Sequence, residues 1–137
     1  MSNSTATRPG MKPRPVSPHL QIYRLTPTML MSGVHRISGA ALYFGVLLVA
    51  WWLVAASTSE SAFALANGVM GSWIGLLVLF GFTWSLWVHM LGGLRHLVWD
   101  TGRGMEKHTA TKLSLATLAG SIVLTILTWI VILFAGA

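Results

Sequence analysis

Three long stretches of the chain carry no charged residue, and polar clusters separate them. They extend over residues 37–56, 69–94 and 113–134. About 20 apolar residues in a helix cross a hydrocarbon core of about 30 Å, so each stretch is long enough to span a membrane. The pattern predicts an all-α membrane protein with three transmembrane helices.

Polar and proline-rich residues precede the first span. Prolines recur every few residues before residue 19, which disfavours a regular helix. Thr26-Pro27 then has the pattern of an N-cap followed by a proline in the first turn. We therefore predict an irregular arm over residues 1–26 on the cytoplasmic side and a transmembrane domain over residues 27–137. The predicted helices cover residues 27–56, 69–98 and 113–135, with short connections over 57–68 and 101–112.

The composition supports a membrane location. Hydrophobic residues make up 54% of the chain and charged residues 9%, whereas soluble domains average about 25% charged residues. The net charge of +6 does not indicate nucleic-acid binding, because no basic stripe with interleaved aromatic residues lies outside the spans. The chain has no cysteine, which excludes disulfides, iron–sulfur ligation and thiolate zinc sites.

The distribution of basic residues predicts the orientation. Four lie in the N-terminal arm, four lie in residues 95–112 and none lies in residues 57–68. The positive-inside rule therefore predicts that the N-terminus is inside and the C-terminus outside. No early apolar segment or small-residue cleavage site indicates a secretory signal.

His89 is the most informative residue of the second span, because an ionisable residue inside a membrane helix is costly. His89, Gly92, Gly93 and His96 follow the spacing i, i+3, i+4 and i+7, which places them on one helix face. An imidazole beside small residues predicts a groove suited to haem, with His89 as an axial iron ligand. The alternative is a histidine that is hydrogen-bonded to a neighbouring helix.

A second axial ligand is not expected from this chain. Two axial nitrogens lie about 4 Å apart across an iron, at roughly 2 Å each, whereas residues i and i+7 lie about 10 Å apart along a helix. This separation excludes His96 as the partner of His89 on one iron. We expect His35 to be too shallow in the membrane. The opposite ligand is therefore predicted to come from a partner membrane subunit.

Ser32, His35 and Arg36 form a second candidate group near the start of the first helix. Their spacing of i, i+3 and i+4 places them on one face, where the helix dipole disfavours a cation. Arg36 could hold a haem propionate or polarise a quinone carbonyl, with Ser32 as a second donor. The alternative is an ordinary interfacial arginine that snorkels to the headgroups.

Asp100 is an acid at the C-terminal end of the second helix, where the dipole disfavours it. We expect an ion pair with Arg95, Arg103 or Arg36. A proton relay to a quinone is the alternative. His19 and His108 lie outside the spans and are interpreted as surface histidines.

Three motifs resemble the cytochrome b membrane-anchor subunit of succinate dehydrogenase, respiratory complex II. They are the arm segment over residues 14–24, Ser32-Gly-Val-His-Arg-Ile-Ser-Gly39, and the run from His89 to Asp100. The resemblance implies that His89 is the axial ligand of haem b and therefore the iron-binding residue of this chain. The other residues would contact haem propionates (His35 and Arg36), the haem edge (His96) and ubiquinone (Ser32 and Arg36, with Asp100 nearby).

The resemblance also implies a role within a complex. One haem b would be shared with a second small membrane-anchor subunit, and the chain would anchor an iron–sulfur subunit and a flavoprotein subunit in the lipid. Electrons would pass from succinate to ubiquinone, without catalysis by this chain alone. The expected location is the bacterial inner membrane, with the mitochondrial inner membrane as the alternative. The rival functions are a haem-free structural anchor and the anchor of a fumarate reductase.

Overall fold

The computed structural model describes residues 22–136, which form four helices. They are α1 (Pro27–Thr58), α2 (Glu60–Gly71), α3 (Trp73–Asp100) and α4 (Lys107–Ala135). Three of them, α1, α3 and α4, are long and apolar enough to cross a membrane. This confirms the predicted three spans of an all-helical protein, whereas the predicted orientation of the termini remains a prediction. Most of the predicted arm, including His19, lies outside the described residues.

The start of α1 follows the predicted capping pattern. Thr26 is the N-cap, and its hydroxyl oxygen accepts a hydrogen bond from the Met29 amide at 3.4 Å. Pro27 occupies the first helical position, where a missing N–H costs nothing because that group has no partner within the helix. The helix continues to Thr58, two residues beyond the predicted end at residue 56.

The connection expected after the first span is itself a helix, α2. Its sequence is rich in alanine and other helix formers, and serines divide it from its neighbours. Ser59 caps α2 by accepting from the Ala62 amide at 3.2 Å, and Ser72 caps α3 by accepting from the Gly75 amide at 3.1 Å. Both serines have extended ψ angles near 158°. Gly71 and Gly75 have the four-residue spacing that is typical of closely packed membrane helices. Because the chain breaks at Ser72, they lie on different helices.

The second connection is shorter than predicted. The third span was expected to begin at residue 113, but α4 begins at Lys107. The polar residues before 113 form its first turns. Gly102 and Gly104 have φ angles of 76° and 73°, a region that residues with a Cβ rarely adopt. These two glycines reverse the chain between α3 and α4 within six residues, 101–106.

Small hydroxyl residues allow α4 to approach the other helices closely. Four of them are buried at intervals of three or four residues, namely Ser114, Thr117, Ser121 and Thr125. Each donates its hydroxyl proton to a backbone carbonyl of its own helix at 2.7–2.9 Å. Their polar groups are therefore satisfied without water, as packing inside a membrane requires.

The outer surface is apolar over the length of the long helices. Large side chains such as Phe134, Leu133 and Ile37 are 88%, 73% and 72% exposed. A soluble monomer rarely exposes apolar area on this scale. The distribution fits a multi-pass membrane protein whose exposed side chains contact lipid or other subunits.

Candidate functional site

Three histidines from two helices form one cluster, called here the histidine cluster: His35 of α1 with His89 and His96 of α3. The rings of His35 and His89 stack with their centroids 4.0 Å apart and an interplanar angle of 7°. The ring of His96 meets that of His35 edge-on at 5.2 Å. All three side chains are half-buried. The fold thus brings together two groups that lie more than 50 residues apart in the sequence.

A glycine opposite each stacked ring makes this contact possible. A Cβ on Gly39 of α1 would lie 2.9 Å from Cε1 of His89, and a Cβ on Gly92 of α3 would lie 2.5 Å from Nδ1 of His35. Cβ contacts of this kind under 3.0 Å essentially do not occur in proteins. Each helix therefore offers a glycine to the imidazole of the other, and the two glycines fix how closely α1 and α3 approach.

This arrangement corrects the predicted groove of small residues. The space over Gly92 is filled by the His35 ring rather than left open. Gly93, by contrast, has no atom within 4 Å of its Cβ position, so small-residue space remains on that side of α3. The sequence grouped Gly92 with Gly93 and did not single out Gly39, because which glycines meet a ring depends on how α1 packs against α3.

The hydrogen bonds of His89 determine its tautomer. Its Nδ1 lies 3.1 Å from the backbone carbonyl oxygen of His35, which can only accept, so Nδ1 carries the proton. The hydroxyl oxygen of Ser38, a residue only 3% exposed, lies 3.3 Å from the same nitrogen. Ser38 donates its own proton to the His35 carbonyl at 2.9 Å. Nε2 is therefore the nitrogen with the available lone pair.

The same bonds bear on the alternative interpretation of His89. As that alternative proposed, His89 is hydrogen-bonded to a neighbouring helix. The bond uses its Nδ1. Within residues 22–136 no hydrogen bond involves its Nε2. Metal-binding histidines commonly donate the other ring N–H to a carbonyl in this way. The helix contact and a ligand role use different nitrogens and are compatible.

His35 lies closer to His89 than we predicted. It was expected to be too shallow, yet its ring touches His89 and also the edge of His96. The reason is that residue 35 of α1 lies level with Gly92, midway between the two α3 histidines. The stacked rings face each other with their planes and not with their nitrogens, so the pair is not arranged across an iron.

No group of three or more histidine, aspartate or glutamate side chains in the described part of the chain could hold a metal ion. A bare ion with an all-protein ligand set therefore does not fit residues 22–136. Iron in a macrocycle needs only one or two protein ligands. A single imidazole with an oriented lone pair, such as His89, suits that case.

Ser32 and Arg36 lie on α1 beside this cluster. Ser32 is half-buried and Arg36 is exposed. Within residues 22–136, neither side chain forms a hydrogen bond or an ion pair with another residue. Both are adjacent in the helix to His35, so their donors lie at the same end of the bundle as the histidine cluster.

The ion pair predicted for Asp100 is absent from the described residues. Asp100 is exposed at the end of α3, and its expected partner Arg95 points elsewhere. Arg95 is only 4% exposed, and its Nη1 donates to the hydroxyl of Ser114 on α4 at 3.2 Å. Arg95 directly follows the charge-free run over residues 69–94, yet its side chain packs inside the bundle.

Trp99 links Arg95 to the histidines. The Arg95 guanidinium carbon lies 5.0 Å from the centroid of the Trp99 ring, and Trp99 meets His96 edge-on at 5.2 Å. The Trp99 indole N–H donates to the Gly104 carbonyl at 3.1 Å. A continuous series of ring contacts therefore connects the end of α3 to the histidine cluster.

A second concave region lies further along α1 and α3, toward α2. It is a groove of about 610 Å³ with walls that are almost entirely apolar, including Gly45, Phe82 and Leu86. The polar side chains at its edge already have partners, since Trp52 donates to Asn67 at 2.9 Å and Thr83 to the Leu79 carbonyl at 2.8 Å. Among the lining residues that the structure describes, no polar side chain is left free to orient a ligand.

Comparison with known proteins gives consistent results. Residues 11–128 match the family described as succinate dehydrogenase/fumarate reductase transmembrane subunit. The chain is 53% identical over 118 residues to a succinate dehydrogenase cytochrome b556 subunit of Paracoccus denitrificans, covering 86% of this chain and 91% of the relative. It is 34% identical over 117 residues to the protein of that name in Rickettsia felis, with 85% and 91% covered.

The similarity extends to mitochondria. A mitochondrial succinate dehydrogenase cytochrome b560 subunit of Sus scrofa is 38% identical over 94 residues, which cover 67% of this chain and 56% of the relative. The family match over residues 11–128 contains α1, α2, α3 and most of α4. It therefore includes all three residues of the histidine cluster.

Proposed function

The chain belongs to the succinate dehydrogenase/fumarate reductase transmembrane subunit family, and we propose that it is the membrane-anchoring haem b subunit of succinate:ubiquinone oxidoreductase. It is a multi-pass membrane subunit of the succinate dehydrogenase cytochrome b type. The observation that supports a haem role is the state of His89, which has Nδ1 held by a carbonyl and the Nε2 lone pair available.

His89 would hold the haem iron through Nε2. Haem b, when bound, accepts and releases single electrons. The residues of this chain would bind and orient it: the His35 carbonyl and the Ser38 hydroxyl fix the His89 tautomer, and the His35 ring restricts the plane of the imidazole. Gly39 leaves room for that imidazole. The residues present therefore fit the group that the family implies.

The second axial ligand would come from the second small membrane-anchor subunit. Neither His35 nor His96 faces His89 across a gap that an iron could fill. The His35 ring is stacked on His89, and the His96 ring contacts His35. The haem would then lie at the boundary between two chains, shared by both. Its propionates would contact His35 and Arg36, and His96 would lie near its edge.

Ubiquinone would bind at the same end of the bundle. Arg36 and Ser32 supply a cationic and a neutral donor, the types that stabilise negative charge on a carbonyl oxygen. Asp100 lies exposed at the adjoining end of α3 and would serve as a nearby proton-exchanging group. We place this end on the cytoplasmic face, where the iron–sulfur and flavoprotein subunits would dock, in a bacterial inner membrane.

A spectrum of the purified complex tests the haem assignment. We expect a b-type band in the reduced-minus-oxidised spectrum of the wild-type complex and its loss in His89→Ala, with the chain still in the membrane fraction. His108→Ala is the matched control, since His108 is exposed at the start of α4. A normal band in His89→Ala would refute the ligand role, and no band in the wild type would favour a haem-free anchor.

A separate pair of assays tests the quinone site. We expect Arg36→Leu to lower succinate:quinone reductase activity far more than succinate oxidation by an artificial acceptor, because only the first reaction uses the quinone. Arg103→Leu removes the same charge from the exposed connection and should change neither. Equal losses in both assays for Arg36→Leu would indicate misassembly and count against the quinone role.

A further inference from the structure

Among residues 22–136, Arg95 is a buried cation without an acid partner. The residue is 4% exposed between α3 and α4, and its Nη1 donates to Ser114 at 3.2 Å while its Nε has no partner among residues 22–136. The whole sequence has three acids, Glu60, Asp100 and Glu106. None of them is paired with Arg95 in the structure, although all three lie in its described part.

An arginine side chain stays protonated in proteins, and a buried charge is normally paired. Here one neutral hydroxyl and the face of Trp99 surround the guanidinium. These contacts solvate the cation but add no negative charge. Its field therefore extends into a bundle of low polarity, where screening by water and salt is weak.

Arg95 lies close to the histidine cluster, so its charge acts on that cluster over a short distance. Trp99 contacts both Arg95 and His96, and His96 contacts His35, which is stacked on His89. Every intervening group is an uncharged side chain or an imidazole. No carboxylate belongs to this series of contacts, and within residues 22–136 no acid forms an ion pair with Arg95.

We propose that Arg95 is an electrostatic tuning residue, whose uncompensated buried charge raises the reduction potential of the haem held at His89. This inference rests on the proposed function. Reduction of the iron lowers the total positive charge of the site by one, so a fixed cation in the bundle favours the reduced form. Arg95 acts at a distance, without touching the haem, and is thus not a catalytic residue.

Redox titration of the haem in the purified complex tests this role. We expect Arg95→Met to lower the ratio of reduced to oxidised haem at a fixed potential by a factor of roughly 3 to 10. Arg95→Lys keeps the charge and should remain close to the wild type. Arg103→Met removes an equal charge from the exposed connection, where water and salt screen it, and should leave the ratio unchanged.

Ser114→Ala separates charge from packing. It breaks the Arg95–Ser114 hydrogen bond and keeps the cation, so the ratio should stay near the wild-type value. If Arg95→Met does not assemble, Arg95→Met combined with Ser114→Val replaces the polar pair by an apolar one and should show the same lowering. The inference would be overturned if haem-loaded Arg95→Met, alone or with Ser114→Val, kept the wild-type ratio of reduced to oxidised haem. It would also be overturned if Ser114→Ala lowered that ratio as much as Arg95→Met does. Absence of haem from the wild-type complex would instead overturn the proposed function.

Discussion

Two regions of the interface between α1 and α3 can be compared, and in both an aromatic or imidazole ring packs against a glycine. Near the start of α1 the rings are imidazoles, His35 over Gly92 and His89 over Gly39. Further along, toward α2, the ring is Phe82, whose Cδ1 and Cε1 would lie 3.0 Å from a Cβ on Gly45. We call the first contact the histidine contact and the second the phenyl contact. Their packing geometry is similar and their chemistry is not.

The two contacts differ in the polar atoms that they bury. A phenyl ring fills the space beside a glycine without any polar atom to satisfy. The two buried polar side-chain atoms that lack a partner within residues 22–136, His35 Nδ1 and Arg95 Nε, both lie at the histidine end of the bundle. Membrane interiors penalise such atoms. The histidine end therefore carries buried polar groups that the phenyl contact lacks.

The helix α4 sharpens the comparison. Beyond the histidine contact, α3 and α4 exchange two indole hydrogen bonds, from Trp87 to Thr128 at 3.0 Å and from Trp129 to Thr83 at 3.3 Å. Both indole donors are satisfied by a hydroxyl of the facing helix. Both indole donors in this part of the bundle therefore find partners within the described residues.

The largest effect is expected from Gly92→Val. The added side chain would occupy the position of the His35 ring, whose nearest atom lies only 2.5 Å from a Cβ, and so would separate α1 from α3 at the histidine contact. We expect loss of most b-type absorbance and less assembled complex on native gels. Gly45→Val should destabilise the complex but leave the absorbance of the remaining protein unchanged. Loss of haem in both variants would show that the contacts are equivalent.

Phe82→Ala comes next and acts on the phenyl contact alone. Removing the half-buried ring opens a cavity at a cost of about 3 kcal/mol, near the lower end for such changes. Thermal inactivation should occur at lower temperature, while the haem spectrum and the artificial-acceptor activity stay as in the wild type. A spectral change would contradict the separation of the two contacts.

Ser38→Ala is expected to have a smaller effect. It removes one hydrogen bond to the His35 carbonyl and one acceptor near His89 Nδ1, worth about 1 kcal/mol. Haem content should persist, but the low-spin ferric electron paramagnetic resonance signal should shift because the imidazole is less firmly oriented. Thr83→Val costs a similar amount at the indole bonds and should leave that signal unchanged.

Gly81→Ala should have the smallest effect. No atom lies within 4 Å of its Cβ position, and alanine is favoured over glycine within a helix by about 0.5–1 kcal/mol. Stability should be equal or slightly higher, with wild-type haem content. A marked loss of assembly in this variant would show that a partner subunit packs against α3 at that position.

Much of the fold could be predicted from local patterns. The charge-free runs identified the three spans, and Thr26-Pro27 identified the start of α1. The helix α2 was missed because its polar flanks suggested a loop, although its alanine-rich centre favours a helix. Such boundaries depend on caps such as Ser59 and Ser72, which a pattern of hydrophobicity does not detect.

The histidines of the candidate site could be singled out from the sequence, but their arrangement could not. A histidine in an apolar run is visible in the sequence, and His35, His89 and His96 do come together. The contact of His35 with Gly92 depends on the register of two helices, and the inward turn of Arg95 depends on Ser114 of a third. Neither relation is encoded in local spacing.

The stacking of the two imidazoles has a consequence for the electronic symmetry of any metal bound there. One face of the His89 ring is covered by His35 and its Nδ1 donates to a carbonyl, and both contacts restrict rotation of the ring about its Cβ–Cγ bond. The direction of its π orbitals is thereby set by the polypeptide before a ligand arrives. If His89 holds the haem iron as proposed, the plane of its imidazole would be set by how α1 and α3 meet.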